Sequence, residues 1–347
     1  MYKKIFKPIL FKFNPEKVHW FFINAGALLG SNFLTKFLVR VLYQYKGSDI
    51  SKTIDGVKYR TPIILSAGFD YEGKLINILE DISFGGIEIG SITAKPYEGN
   101  PKPNLTRLPK TESIIVNKGL KNKGVDYLIK RLKKHQKNKS TDFVWGISIA
   151  RTNCKETSTI ESGIADYEYS FKRLNEEKVG DYYTINISCP NSYGGETFAD
   201  PIRLEKLLTS LDKVDCNKPI YIKMPISISN SDYIELIDVI KKHRINGIVV
   251  GNLQKNYKDI EDNVNDKETF RGGLSGKPCR TRSNELIKLT RDVCSSEFTI
   301  FGCGGISSPK DAQEKINLGA DAIQLITGMI YQGPSLIKKI CKETFSK

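Results

Sequence analysis

The string Asn186-Ile187-Ser188-Cys189-Pro190-Asn191 sets a carboxamide on either side of a thiol. Carboxamides offer paired donors and acceptors to a planar, amide-rich ligand. A thiol, with an ordinary pKa of about 8.5, accepts a proton near neutrality once nearby positive charge lowers that value. A second string, Gly302-Cys303-Gly304-Gly305-Ile306, runs into Ser307-Ser308-Pro309, and Thr327-Gly328 follows further on. Glycines at helix starts let backbone N–H groups close on an anion, which is phosphate chemistry. Lys223 sits near the end of the apolar run Pro219 to Met224, where a structural lysine has little purpose. The plainer readings are a turn for the glycines and a small buried filler for the cysteine. The filler reading is kept for the other six cysteines.

These groups need elements to carry them. Short β-rich runs occur at 62–67, 86–90, 144–149, 182–188, 219–224, 247–251, 298–302 and 322–326, separated by amphipathic stretches. Eight such runs alternating with helices predict an α/β fold, a (β/α)8 TIM barrel, whose chemistry lies at the C-terminal ends of the strands. A doubly wound sheet is weakened by the lack of Gly-x-Gly-x-x-Gly after the first run. In the barrel, the asparagine–thiol string ends strand four, Lys223 ends strand five, and the glycine strings follow strands seven and eight. A flavin phosphate held by the last two would leave its ring over the mouth, with Lys223 placed to stabilise negative charge on it.

Composition limits the alternatives. The chain has 347 residues, 39% of them apolar and 10% aromatic, which excludes collagen-like, coiled-coil and wholly disordered chains. Seven cysteines without a C-x-x-C pair argue against a disulfide framework or structural zinc, so no metal is expected and the thiols should work reduced. The net charge is +14, yet neither a nucleic-acid reading module nor an aromatic stacking platform accompanies it, so nucleic acid is not an expected partner. A Lys-rich cluster from Lys118 to Lys139 keeps Val125, Leu128, Ile129 and Leu132 at helical spacing, as a helix with a solvated outer face does.

Residues 1–50 hold eight basic and two acidic side chains on the most apolar part of the chain. Lys7, Lys12, Glu16 and Lys17 break the pattern of a signal peptide. The uncharged stretch from Val18 to Thr35 contains Asn24, Gly26, Gly30, Ser31 and Asn32, which suits a break better than a span. Two helices are predicted. The first has Asn14 as N-cap, Pro15 in its first turn and an end near Leu29; the second carries Phe33, Phe37, Leu38, Val41 and Leu42 beside Lys36 and Arg40. An apolar face rimmed by bases suits a membrane interface, and equally a cap packed on the barrel.

The strings NISCPN, GGLSGKP (272–278), GCGGI, LSAGFD (65–70), IEIGSIT (87–93) and GNPKPNLTRL (99–108) together resemble the dihydroorotate dehydrogenase family. NPEKVHWF (14–21) is similar to the membrane-associated, quinone-using class 2, whose extension forms a tunnel toward FMN. The resemblance implies an extension over 1–46 and an FMN barrel over 47–347 that oxidises dihydroorotate to orotate in pyrimidine biosynthesis. It would be peripheral on the cytoplasmic face of a membrane, with quinone reoxidising the flavin. It implies flavin contacts from Ala67, Gly68, Ser91, Ser148, Lys223, Gly276, Gly304, Gly305, Thr327 and Gly328. Asn186, Asn191 and Asn252 would hold the substrate ring, Cys189 would be the base, and His19 and Arg107 would lie by the quinone.

There are departures. The base is usually serine in the quinone class, and cysteine is typical of the soluble class 1. The family lysine after Gly-[Phe/Leu]-Asp is Tyr71, an expected asparagine is Val116, a hydroxyl residue is Leu253, a flavin-side asparagine is Ser148, and a tyrosine beside the quinone is Ile326. Three of these touch orotate recognition, and each lost partner of a buried polar ligand costs about 1 to 3 kcal/mol. Asn117 or Lys118 would compensate through a shifted loop, Lys118 supplying the cation. The alternative is a paralogue acting on another small cyclic or conjugated substrate. Cys189→Ser should slow flavin reduction by dihydroorotate by roughly 100-fold, within the range for general-base catalysis, and leave flavin bound. Loss of flavin on that change would make the residue structural.

Overall fold

The computed structural model describes residues 2–188, 198–255, 257 and 272–346. Eight strands close a barrel: β1 (Ile63–Leu65), β2 (Gly86–Ile92), β3 (Val144–Ile149), β4 (Tyr182–Asn186), β5 (Ile220–Met224), β6 (Gly247–Val250), β7 (Thr299–Cys303) and β8 (Ala322–Leu325). Neighbours around the ring follow chain order, β8 pairs with β1, and every pairing is parallel. All eight expected runs are strands. They read as nearly continuous apolar runs because both faces are buried, one by the barrel interior and one by the surrounding helices.

Successive side chains alternate between those two environments. In β4, Tyr183 and Ile185 pack with the outer core, while Tyr182 joins Ile64, Val144, Tyr221, Val249, Phe301 and Ala322 inside. The rings of Tyr182 and Phe301 stack at 6.0 Å between centroids. A hairpin, Lys52–Ile54 with Val57–Tyr59, adds Ile54 and Tyr59 to this interior cluster, and Asp55 accepts a hydrogen bond from the Tyr221 hydroxyl at 2.6 Å. The hairpin thus closes the N-terminal end of the barrel, leaving the C-terminal end for ligands.

The outer helices bury one stripe each. The helix Val125–Gln136 buries Val125, Leu128, Ile129 and Leu132 and turns its lysines outward, as the spacing predicts. A three-stranded antiparallel sheet, Leu105–Leu108, Ser113–Val116 and Gly273–Gly276, was not apparent from the sequence. Two of its strands lie beside each other in the chain, and the third comes from more than 150 residues away.

The extension has the two expected helices, α1 (Pro15–Leu29) and α2 (Phe33–Tyr43), crossing at 113°. Asn14 caps α1 by accepting from the backbone N–H groups of Glu16 and Lys17 at 3.0 and 3.1 Å. Asn32 caps α2 in the same way. A further helical segment over 2–10 precedes them and was not foreseen. No single helix among the described residues is long and apolar enough to cross a membrane.

The extension is fastened to the barrel by polar contacts. Arg40 donates to buried Asp81 at 2.7 Å, Lys36 approaches the same carboxylate at 3.7 Å, and the Tyr2 hydroxyl donates to the Ile330 carbonyl at 2.6 Å. A charge-assisted bond to a buried carboxylate is worth about 1.5–3 kcal/mol, so Arg40→Met should destabilise the protein by that amount. Protease sensitivity should rise between α2 and the barrel. Unchanged thermal unfolding would show that Asp81 is not holding α2.

Candidate functional site

The strands deliver polar side chains in layers to the open end. Glu88 on β2 points into the barrel, where its Oε2 accepts from Thr184 and Gln324, each at 2.9 Å, and from Tyr182 at 3.4 Å. Its other oxygen faces the Lys223 ammonium at 3.5 Å, and that ammonium also donates to Ser66 at 3.3 Å. One layer higher, Ser148 and Ser91 share a hydrogen bond of 2.7 Å, and the Asn186 amide donates to Ser91 at 2.9 Å. Asn252 donates to Asn186 Oδ1 at 3.3 Å and to Ser188 Oγ at 2.5 Å. The two described asparagines thus stand together, fixed by neighbours rather than left to rotate.

A cavity opens over this layer, bordered by Ala67, Gly68, Ser91, Asn186, Lys223, Asn252 and Thr327. It runs into a second, which Gly276, Gly304, Gly305 and Gly328 border. Lys223, Asn252 and Thr327 belong to both walls. The glycines are required by close approach. A Cβ on Gly305, whose φ is +73°, would stand 2.4 Å from Arg280 Cβ, and one on Gly328 would stand 1.8 Å from the Ile306 carbonyl oxygen. The loop after β7 is braced by Asp311, which accepts from the Ser307 backbone at 2.9 Å and pairs with Arg280. A narrow glycine cradle joined to a wider mouth carrying the buried cations Lys223 and Lys118 fits a phosphate-bearing ring compound such as a flavin nucleotide.

A third, mostly apolar cavity of about 500 Å³ lies between the barrel and the extension. His19, Phe69, Leu105, Ile114 and Ile330 border both it and the mouth, so the two meet at those five side chains. Arg107 lines its outer part, donates to the carbonyls of Leu10, Phe11 and Phe13 at 3.4, 3.4 and 3.0 Å, and lies over the Phe11 ring. His19 is 8% exposed, packs edge-on against Phe69 at 5.0 Å, and its Nε2 has no hydrogen-bond partner among the described residues.

The structure therefore brings together most of the residues singled out in the sequence. Ser148 reaches the cavity only through Ser91. Asn117 does not border it: its side chain accepts from Asn100 at 3.0 Å, whereas Lys118 beside it does border the cavity. Cys189 and Asn191 lie outside the described residues. Of the six cysteines that are described, four are buried, as expected of fillers, and all six are free thiols. Sequence reasoning missed Glu88, although an acid inside an apolar strand is a visible signal, and it missed the apolar wall of Leu105, Ile114 and Ile330, which carries none.

The fold and the site define a (β/α)8 barrel protein with a glycine-lined cradle at the C-terminal ends of its strands. The family model for dihydroorotate dehydrogenase matches residues 49–347. The chain is 33% identical to a dihydroorotate dehydrogenase (quinone) of Christiangramia forsetii, covering 100% of this chain and 99% of that one. It is also 33% identical to the protein of that name from Pasteurella multocida, covering 98% of each. A crystal structure of the Eimeria tenella enzyme in complex with ferulenol superimposes with a TM-score of 0.77 over 90% of each chain at 24% identity, a likeness of fold. The chain belongs to the dihydroorotate dehydrogenase family, and its relatives place it with the quinone-dependent type.

Burial pushes the His19 imidazole down to about 3, the charge of Lys118 adding to the effect. An imidazole kept neutral in the fold but free to protonate when unfolded removes stability as pH falls below about 6.5, by at most about 1.4 kcal/mol per pH unit. Thermal unfolding of His19→Phe should therefore be less acid-sensitive than that of the wild type between about pH 6.5 and 4.5. Equal acid dependence in the two proteins would contradict a neutral buried imidazole.

Proposed function

We propose that this chain binds FMN and oxidises dihydroorotate to orotate in pyrimidine biosynthesis, passing the electrons to a quinone. The observation that carries the reading is the meeting of a polar mouth and an apolar cavity at one wall, with a glycine cradle to the side. Gly276, Gly304, Gly305, Thr327 and Gly328 would hold the phosphate, and Ala67, Gly68, Ser91 and Lys223 the ring, with Ser148 behind Ser91. Bound there, the flavin supplies a two-electron acceptor that substrate can reduce and quinone can reoxidise.

The chain's own residues do the rest. Asn186 and Asn252, with Asn191, hold the ring of dihydroorotate by its amide edges. Cys189 takes the proton from one ring carbon as hydride leaves the neighbouring carbon, giving the ring double bond of orotate. Lys223, fixed by Glu88, keeps a positive charge beside the site where negative charge collects. On the acceptor side, the unpartnered Nε2 of His19 and the guanidinium of Arg107 present polar groups to a quinone in an otherwise apolar cavity. No observation favours a different cyclic substrate.

We assign the quinone and membrane roles to residues 1–46 and the flavin chemistry to 47–347. Support comes from the outer face of the extension, where Phe33 is 82% and Leu28 73% exposed, beside Leu34, Phe37, Leu38 and Leu42. Such a surface suits a helix pair lying in a membrane interface. The protein would sit peripherally on the cytoplasmic face.

Flavin-loaded protein should form orotate over many turnovers only when dihydroorotate and a quinone are both supplied; failure to form it would end the reading. Ile330→Trp, which fills the wall between the two cavities, should slow quinone reduction by about tenfold or more, the effect of ~1.4 kcal/mol on a barrier. Reduction of the flavin by dihydroorotate should persist. Equal loss of both half-reactions would contradict separate access routes.

A further inference from the structure

Lys118 follows the strand Ser113–Val116, borders the mouth cavity and is 5% exposed. The other deeply buried lysines have oxygen partners: Lys223 has Ser66 and Glu88, and Lys315 has Ser283 and Asn284, both at 2.8 Å. Lys118 has none within hydrogen-bond or ion-pair distance among the described residues. Its ammonium instead lies 5.0 Å from the centroid of the Tyr71 ring and 6.0 Å from that of Trp20 on α1. Ring faces steady a cation without neutralising it. Burying an ammonium with no counter-ion is expensive, and an incoming anion would relieve that cost. Burial pulls the group down to about 8, Glu16 opposing and Lys121 adding to the shift, so it is charged at neutral pH.

The second cation in the cavity wall, Lys223, is already matched by Glu88, so among the described residues Lys118 is the one left for a ligand's own negative charge. The cavity's amides suit an amide-bearing ring, and dihydroorotate is such a ring with one carboxylate. We propose that Lys118 is the residue that recognises the substrate carboxylate, and that Trp20 of α1 positions it, so that the extension serves the substrate site as well as the acceptor cavity. This rests on the reading of the mouth as the dihydroorotate site. It also gives Tyr71 a role: its ring lies 5.0 Å from the ammonium in the wall of the same cavity.

The test uses flavin-loaded full-length protein and orotate as probe, with binding read from the change in the flavin absorbance spectrum. Lys118→Met should weaken orotate binding by about 10- to 100-fold, the loss expected for a charge-assisted hydrogen bond, and raise the KM for dihydroorotate more than it lowers kcat. Lys118→Arg should recover most of the binding. Lys118→Gln reads the same contact should the methionine variant fail to hold flavin. Trp20→Leu should weaken orotate binding by a smaller factor and leave the flavin content unchanged. If wild-type protein binds orotate and the methionine or glutamine variant binds it equally well, the inference is overturned. Unchanged binding in Trp20→Leu overturns the positioning role. If the wild type itself neither binds orotate nor is reduced by dihydroorotate, it is the underlying reading that fails.

Discussion

The contact between the Lys223 ammonium and the Glu88 carboxylate, 3.5 Å apart inside the barrel, is the interaction on which the rest of the site is arranged. An ion pair in a barrel interior is tolerated only when its remaining lone pairs and protons are met. Here Thr184, Gln324 and Tyr182 meet the far oxygen of Glu88, and Ser66 takes a proton of Lys223. Strands β2 and β5 therefore carry the ion pair and β4 and β8 supply its inward polar partners, above an interior that is otherwise aromatic and aliphatic. The closed lower end and the paired carboxylate fix where the cation stands, at the seam between the glycine cradle and the amide-bearing mouth.

From that seam the molecule divides two kinds of chemistry. Polar side chains on the strand ends face one space; apolar side chains of the extension and of the three-stranded sheet enclose the other. His19, Phe69, Leu105, Ile114 and Ile330 stand between them. A water-soluble, charged substrate and an apolar acceptor would compete poorly for either space, because each would bury groups the wrong wall cannot satisfy. The extension supplies one wall of the apolar cavity, and through His19 it reaches the rim of the mouth.

The barrel strands were legible in the sequence because strands buried on both faces write themselves as continuous apolar runs, and Asn14 announced its helix by capping chemistry; Asn32, read as part of the turn, caps the second helix. The glycine strings marked the cradle because close approach leaves no choice of residue at Gly305 and Gly328. What stayed hidden was set by long-range pairing. Gly273–Gly276 joins Ser113–Val116 across the chain with no local signal. The wall of Leu105, Ile114 and Ile330 looks like ordinary core until its position is known. Asn117 and Lys118 were indistinguishable as replacements by type and spacing; a hydrogen bond to Asn100 turns the first away from the cavity, and the second faces it.

The most direct measurement is a single anaerobic mixing of flavin-loaded protein with dihydroorotate, followed at the flavin absorbance band with no quinone present. The account predicts that the yellow colour bleaches in one turnover, with one orotate appearing for each flavin. A flavin that stays oxidised while bound to the protein, with no orotate formed, would contradict it.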